Sequence, residues 1–222
     1  MPDQLPLELA HRPSLARDDF LIGPSNAEAL AMVDSWPNWP TAVVVLAGPP
    51  GSGKTHIADV WRAATGAPAV TARGCGSAEP DLLLTSGTVV VEDLHDGPVD
   101  EAALFHLLNR VGERRGQAIV TSRVWPKAAG LRLPDLVSRL TAARLVEIGE
   151  PDDELLRRVL VKLFADRQLQ VAPATIEFLL RRMERSLGAA RTLSERLDRR
   201  ALAEGRAVTR ALAADVLAEG VS

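Results

Sequence analysis

The rhythm of apolar and polar positions changes several times along the chain. Val43 to Leu46, Val89 to Val91 and Ala118 to Thr121 are short apolar runs rich in β-branched residues, which predicts strands buried on both faces. Arg144 to Ile148 predicts a further strand, and Ala69 to Thr71 a shorter one. Between them the pattern predicts helices over 54–64 and 99–113, and a short one near Leu136. A brief helix over 26–33 is expected to end before Trp36-Pro37-Asn38-Trp39-Pro40, since proline lacks a backbone N–H. Alternating strands and helices predict an α/β fold with a parallel sheet covered by helices.

After Pro151 the rhythm becomes helical throughout. Leu155, Leu156, Val159, Leu160, Leu163 and Phe164 share the spacing of one helix face. Pro173 suits the first turn of a second helix, Gly188 is expected to separate it from a third, and Thr209 to cap a fourth. The chain thus divides into an extended arm over 1–17, an α/β core over 18–150 and a helical unit over 151–222.

Composition narrows the function classes. The 222 residues are 46% hydrophobic with a net charge of -3, which supports a packed core and excludes the broad basic surface of non-specific nucleic-acid binding. The single cysteine, Cys75, has no internal disulfide partner. With no basic-then-apolar leader and no long apolar segment, the expectation is a cytoplasmic protein without membrane contact.

The chemistry concentrates after the first strand. Gly48-Pro49-Pro50-Gly51-Ser52-Gly53-Lys54-Thr55 fits the P-loop pattern at every fixed position, with a strand before it and a helix after it. Its glycines let backbone N–H groups turn toward phosphates, Lys54 reaches the terminal ones, and Thr55 offers a hydroxyl to Mg2+. A glycine turn serving only the fold would not need the Lys-Thr pair. The run Val89-Val90-Val91-Glu92-Asp93 takes the place of a Walker B motif, with Glu92 toward the metal and Asp93 toward the attacking water. Glu92 stands where aspartate is usual and Asp93 where glutamate is usual. Each carboxylate therefore reaches one methylene too far or too short, which predicts slow hydrolysis at most. Ser122, at the end of the next strand, is a candidate polar sensor for the terminal phosphate, or else a simple strand cap. Arg191 is a candidate second sensor, or else a helix-surface charge.

Taken together these motifs resemble the Hda regulators, AAA+ relatives of the nucleotide-binding part of the replication initiator DnaA. The resemblance rests on Phe20-Leu-Ile-Gly-Pro-Ser-Asn26, the Walker A loop, Leu136-Val-Ser-Arg139-Leu and Ala190-Arg191-Thr-Leu. It implies an AAA+ P-loop core with a C-terminal helical lid, and ADP or ATP with Mg2+ as ligand. Ile22 and His56 would join the P-loop residues in nucleotide binding, Ser122 and Arg191 would act as sensors, and Arg139 as an arginine finger facing a neighbouring molecule's nucleotide. Gln4-Leu5-Pro6-Leu7-Glu8-Leu9 resembles the family's peptide for the DNA polymerase III sliding clamp, its β subunit. An extended segment with three leucine anchors suits a hydrophobic groove.

The function so implied is stimulation of ATP hydrolysis on DnaA by a clamp-bound regulator, preventing re-initiation of replication. DNA would be met only through the clamp and DnaA. An autonomous ATPase such as a DnaC-like helicase loader and a non-catalytic clamp-tethered adaptor are the alternatives. Monomer and nucleotide-dependent oligomer both stay open. The resemblance lacks DnaA's helix-turn-helix domain, so direct reading of origin sequence is not expected.

Overall fold

A computed structural model describes residue 17 and residues 20–95 and 97–219. The expected arm, with Gln4, Leu5, Pro6, Leu7, Glu8 and Leu9, lies outside the described residues. Among the described residues the chain runs α1 (Ala27–Asp34), β1 (Val43–Ala47), α2 (Lys54–Thr65), β2 (Ala69–Thr71), α3 (Pro80–Leu83), β3 (Thr88–Glu92), α4 (Glu101–Glu113), β4 (Gln117–Ser122), α5 (Pro134–Ala142) and β5 (Arg144–Glu147). Four helices follow: α6 (Asp153–Asp166), α7 (Pro173–Leu180), α8 (Leu187–Glu204) and α9 (Arg210–Ala218).

The five strands form one parallel sheet in the order β2-β3-β4-β1-β5. Period-two alternation explains how short runs of valine serve two layers at once. Val44, Leu46, Val90 and Ile119 point to one face, where α1 and α2 supply Leu30, Ile57 and Trp61. Val43, Val45, Val91 and Val120 point to the other, against Leu104, Leu107 and Leu108 of α4 and Leu136 and Leu140 of α5. Trp61 is fully buried and stacks on Trp39 with ring centroids 5.1 Å apart. The helices α6 to α9 enclose a separate apolar cluster around Leu156, Leu160, Phe164, Leu179, Leu197 and Leu212.

Side-chain caps fix where the helices begin. Asp100, Asp152, Ser186 and Thr209 accept the backbone N–H groups of Ala103, Leu155, Ala189 and Leu212 at the starts of α4, α6, α8 and α9. Ser186 also corrects the sequence reading. Gly188 does not separate two helices; it lies in the first turn of α8, because the Ser186 hydroxyl satisfies the helix start two residues earlier. Since β1 sits between β4 and β5, successive connections diverge at its carboxyl end, the place where open α/β sheets bind ligands.

Candidate nucleotide site

The loop between β1 and α2 forms one side of the site. Gly51 and Gly53 have φ of 70° and 101°, a left-handed conformation that strains any side-chain-bearing residue. At Gly48 the constraint is contact, since a Cβ there would stand 2.3 Å from the Ile148 carbonyl oxygen. Lys54, the first residue of α2, is buried and donates from Nζ to the carbonyls of Gly48 at 2.7 Å and Pro49 at 2.8 Å. Burial lowers its pKa, with Asp93 opposing and Arg123 adding to the shift. A desolvated cation so placed gains from a polyanion brought against it.

The end of β3 supplies carboxylates. Thr55 donates from its hydroxyl to Glu92 Oε2 at 3.1 Å, joining the two motifs across the start of α2. Burial raises the Glu92 pKa, and the Thr55 hydrogen bond partly offsets that. Asp93 turns out of the strand with φ of 58°, and the Thr121 hydroxyl accepts its N–H at 3.0 Å. No cluster of three or more metal-ligating side chains occurs among the described residues. A hydroxyl and one carboxylate nevertheless suit Mg2+, which keeps several waters and takes further oxygens from phosphates.

Helices from the second half of the chain close the site. A cavity of about 370 Å³ lies between Pro50, Gly51 and Gly53 to His56 on one side and residues of α6 and α8 on the other. The Gly188 N–H donates to the Gly51 carbonyl at 3.1 Å, so α8 docks directly on the loop. A Cβ at Gly51 would lie 2.7 Å from the Ser186 hydroxyl. Lys54, Arg123, Lys162 and Arg191 line the cavity along with two acids, Asp93 and Asp166, which favours an anionic ligand. Its apolar part is made by Phe20, Leu21, Val159, Leu163 and Leu187. His56 packs edge-on against Phe20 with ring centroids 4.9 Å apart, and its pKa is lowered first by burial and then by Arg191.

The structure brings Pro50, Gly51, Gly53, Lys54, Thr55, His56, Asp93 and Arg191 together around this cavity. Gly48, Pro49 and Ser52 shape the loop behind its wall, and Glu92 reaches the site through Thr55. Two expectations are displaced. Ile22 is 43% exposed and does not line the cavity; Phe20 and Leu21 take that place, because the segment turns at Gly23. Ser122 is 0% exposed and its hydroxyl accepts the N–H of Val124, so Arg123 and not Ser122 faces the cavity. Alternation along β4 is the signal that could have found this, since neighbours on a strand point to opposite sides.

Arg139 lies elsewhere. It lines a shallow groove with Thr41, Val43, Phe105 and Asp135, and its guanidinium lies over the Phe105 ring, 5.5 Å from the centroid. Val43 opens β1 and the P-loop follows Ala47, so the strand alone separates the two regions by roughly 13 Å at about 3.3 Å per residue. None of the residues lining this groove lines the cavity beside the P-loop.

No protein-family model matches the chain. A Haemophilus influenzae protein, named only as uncharacterized, is 29% identical over 163 residues, spanning 68% of this chain and 69% of its own. Among solved structures, domain III of the Thermotoga maritima replication initiation protein DnaA superposes with a TM-score of 0.78 at 17% identity, covering 94% of this chain and 97% of that one. DnaA bound to AMPPCP and single-stranded DNA gives a TM-score of 0.70 at 18% identity over 83% of this chain, which spans 64% of that DnaA chain. The Thermotoga maritima RuvB Holliday junction branch migration motor gives 0.69 at 17% identity over 92% of this chain and 71% of that one. The five-stranded parallel sheet with its helices is therefore the α/β fold found in domain III of DnaA.

Proposed function

We propose that this chain is a DnaA-like AAA+ regulator that holds ADP or ATP with Mg2+ in its own cavity and promotes hydrolysis of ATP bound to DnaA. The observation that carries the trans reading is the position of Arg139, set apart from the chain's own P-loop cavity and propped on Phe105 at the other end of β1. A guanidinium there is free to meet a neighbour's nucleotide, where a planar donor fork can hold two phosphate oxygens. Such an arginine is worth about 10³- to 10⁵-fold in other nucleotide hydrolases. Thr55 and Glu92 would hold the metal, and Lys54 and Arg191 the phosphates.

The arm over 1–17 would tether the regulator to the DNA polymerase III sliding clamp through Gln4 to Leu9, with the core over 18–150 and the lid over 151–222 presenting Arg139. In this reading the protein works in the cytoplasm, and no helix among the described residues is long and apolar enough to cross a membrane. The 17 to 18% identity to DnaA structures supports the fold, and the regulatory role rests on the motifs and on Arg139. A second reading, an ATPase acting on its own nucleotide, draws support from the Thr55–Glu92 contact and from Asp93 in the cavity wall.

The deciding experiment measures ATP hydrolysis by DnaA on clamp-loaded DNA with wild type, Arg139→Ala and Arg139→Lys. Stimulation is expected to fall by about 10³-fold in the alanine variant and nearly as far in the lysine variant, while the chain's own nucleotide affinity stays normal. Undiminished stimulation by Arg139→Ala would turn the assignment toward the self-acting or adaptor readings.

A further inference from the structure

On the helical unit one aromatic ring carries two cations. The guanidinium carbon of Arg182, just past α7, lies 4.1 Å from the centroid of the Phe178 ring, and that of Arg210, the first residue of α9, lies 4.8 Å from the same centroid. The two charges are thereby held within about 9 Å of each other. Both side chains are exposed. Acids of the same helices are engaged by other arginines: Glu177 pairs with Arg157, Asp153 with Arg185, and Asp215 lies 3.6 Å from Arg206. Glu184, the acid closest to Arg182 in sequence, pairs with neither cation, and neither forms an ion pair among the described residues.

We infer that Arg182 and Arg210 form a contact for the phosphate backbone of duplex DNA, made without regard to base sequence. A cation resting over the face of a ring is held in place while its five N–H donors stay available, whereas an ion pair would engage them with a carboxylate. Arg182 gives one of its donors to a protein acceptor, the Phe178 carbonyl at 3.4 Å. Arg210 stands where a cation is least favoured, at the positive end of α9, and the first turn of that helix contains no acid. Charges that folding alone would keep apart are thus concentrated, and an anion brought against them relieves the repulsion. A strand of duplex DNA presents a phosphate about every 3.4 Å along the helix axis, so cations within about 9 Å can each meet one on the same strand. An acidic peptide fits less well. Protein contacts draw most of their energy from apolar anchors, and the aromatic ring here already carries both guanidiniums. On a chain of net charge -3 such a contact is local, weak and dependent on salt. Phe178, Arg182 and Arg210 do not line the P-loop cavity, so the contact is independent of the nucleotide-binding reading.

The test is fluorescence anisotropy of a labelled random-sequence duplex titrated with the full chain at salt from about 50 to 200 mM. For wild type the logarithm of affinity is expected to fall against the logarithm of salt with a slope of about -2, as two neutralised phosphates require. Arg182→Ala and Arg210→Ala are each expected to flatten the slope by about 1 and to weaken binding about 3- to 10-fold at the lowest salt. Replacing both arginines by lysine keeps the two charges, so the slope is expected to persist while affinity falls for want of the planar fork. Arg144→Ala, at a side chain paired with Glu28 on the core, is expected to leave binding unchanged. Thermal melts of the Arg182 and Arg210 variants are expected to stay close to wild type, since both side chains are exposed. No wild-type binding at the lowest salt, or a double alanine variant with the wild-type affinity and slope, would overturn the inference. Competition by a poly-glutamate peptide or by inorganic pyrophosphate as effective as unlabelled duplex at equal charge would also overturn it, in favour of a site for acidic peptides or for isolated phosphates.

Discussion

At the scale of single residues, Glu92 shows how binding chemistry and stability pull apart. Burial disfavours its carboxylate and raises its pKa above the ordinary glutamate value of 4.5. The proton is therefore bound more tightly in the folded chain than in the unfolded one. The stability this contributes is fully present below the unfolded value and is lost as pH rises through the folded one. Glu92→Gln keeps an acceptor for Thr55 without the charge, so at pH 7 the ligand-free variant is expected to melt above wild type, with the gap closing as pH falls toward about 4. The same variant should bind ATP with little response to added Mg2+. Melting curves across pH and calorimetry with and without Mg2+ check both halves, and a variant that melts below wild type at pH 7 would refute the burial argument. Residue-scale reading from sequence proposes Lys54 and Thr55 from one contiguous motif and Glu92 from the end of an apolar run 37 residues beyond Thr55. It missed Arg123 because a one-residue step at a strand end decides which side chain enters the cavity.

Among the elements, α8 couples the helical unit to the phosphate loop. Its start is fixed by the Ser186 hydroxyl, and that serine also stands where a Cβ at Gly51 would lie. Ser186→Ala removes the cap at a cost of about 1 kcal/mol, which predicts a fall in Tm of roughly 2–4 °C and weaker nucleotide binding as the α8 end loosens from the loop. An unchanged Tm in differential scanning calorimetry would show that the cap contributes nothing here. The sheet was legible in the sequence because three consecutive β-branched residues suit only a strand covered on both faces, as Val89 to Val91 are. The start of α8 was not, since glycine reads as a helix separator unless a capping serine two residues earlier is weighed against it.

For the molecule as a whole, the apolar cluster of α6 to α9 shares no residue with the two clusters on the sheet, yet its helices form one wall of the cavity. Leu197, fully buried in that cluster, is expected to cost about 2–5 kcal/mol when cut to alanine. Saturating nucleotide should restore about 2.7 kcal/mol at a hundredfold excess over Kd, because only the folded cavity binds it. Denaturant melts of Leu197→Ala with and without ADP test this, and an ADP-independent midpoint would detach the helical unit from the site. The cavity itself was the least legible feature. Phe20 and Leu21 lie more than a hundred residues before Val159, Leu163 and Leu187, and each reads locally as ordinary core. The Gly188–Gly51 hydrogen bond, which joins α8 to the P-loop, has a kinetic consequence. On the nucleotide-binding reading proposed above, α8 held against the loop is expected to slow exchange, so a substitution that loosens this contact should quicken nucleotide release.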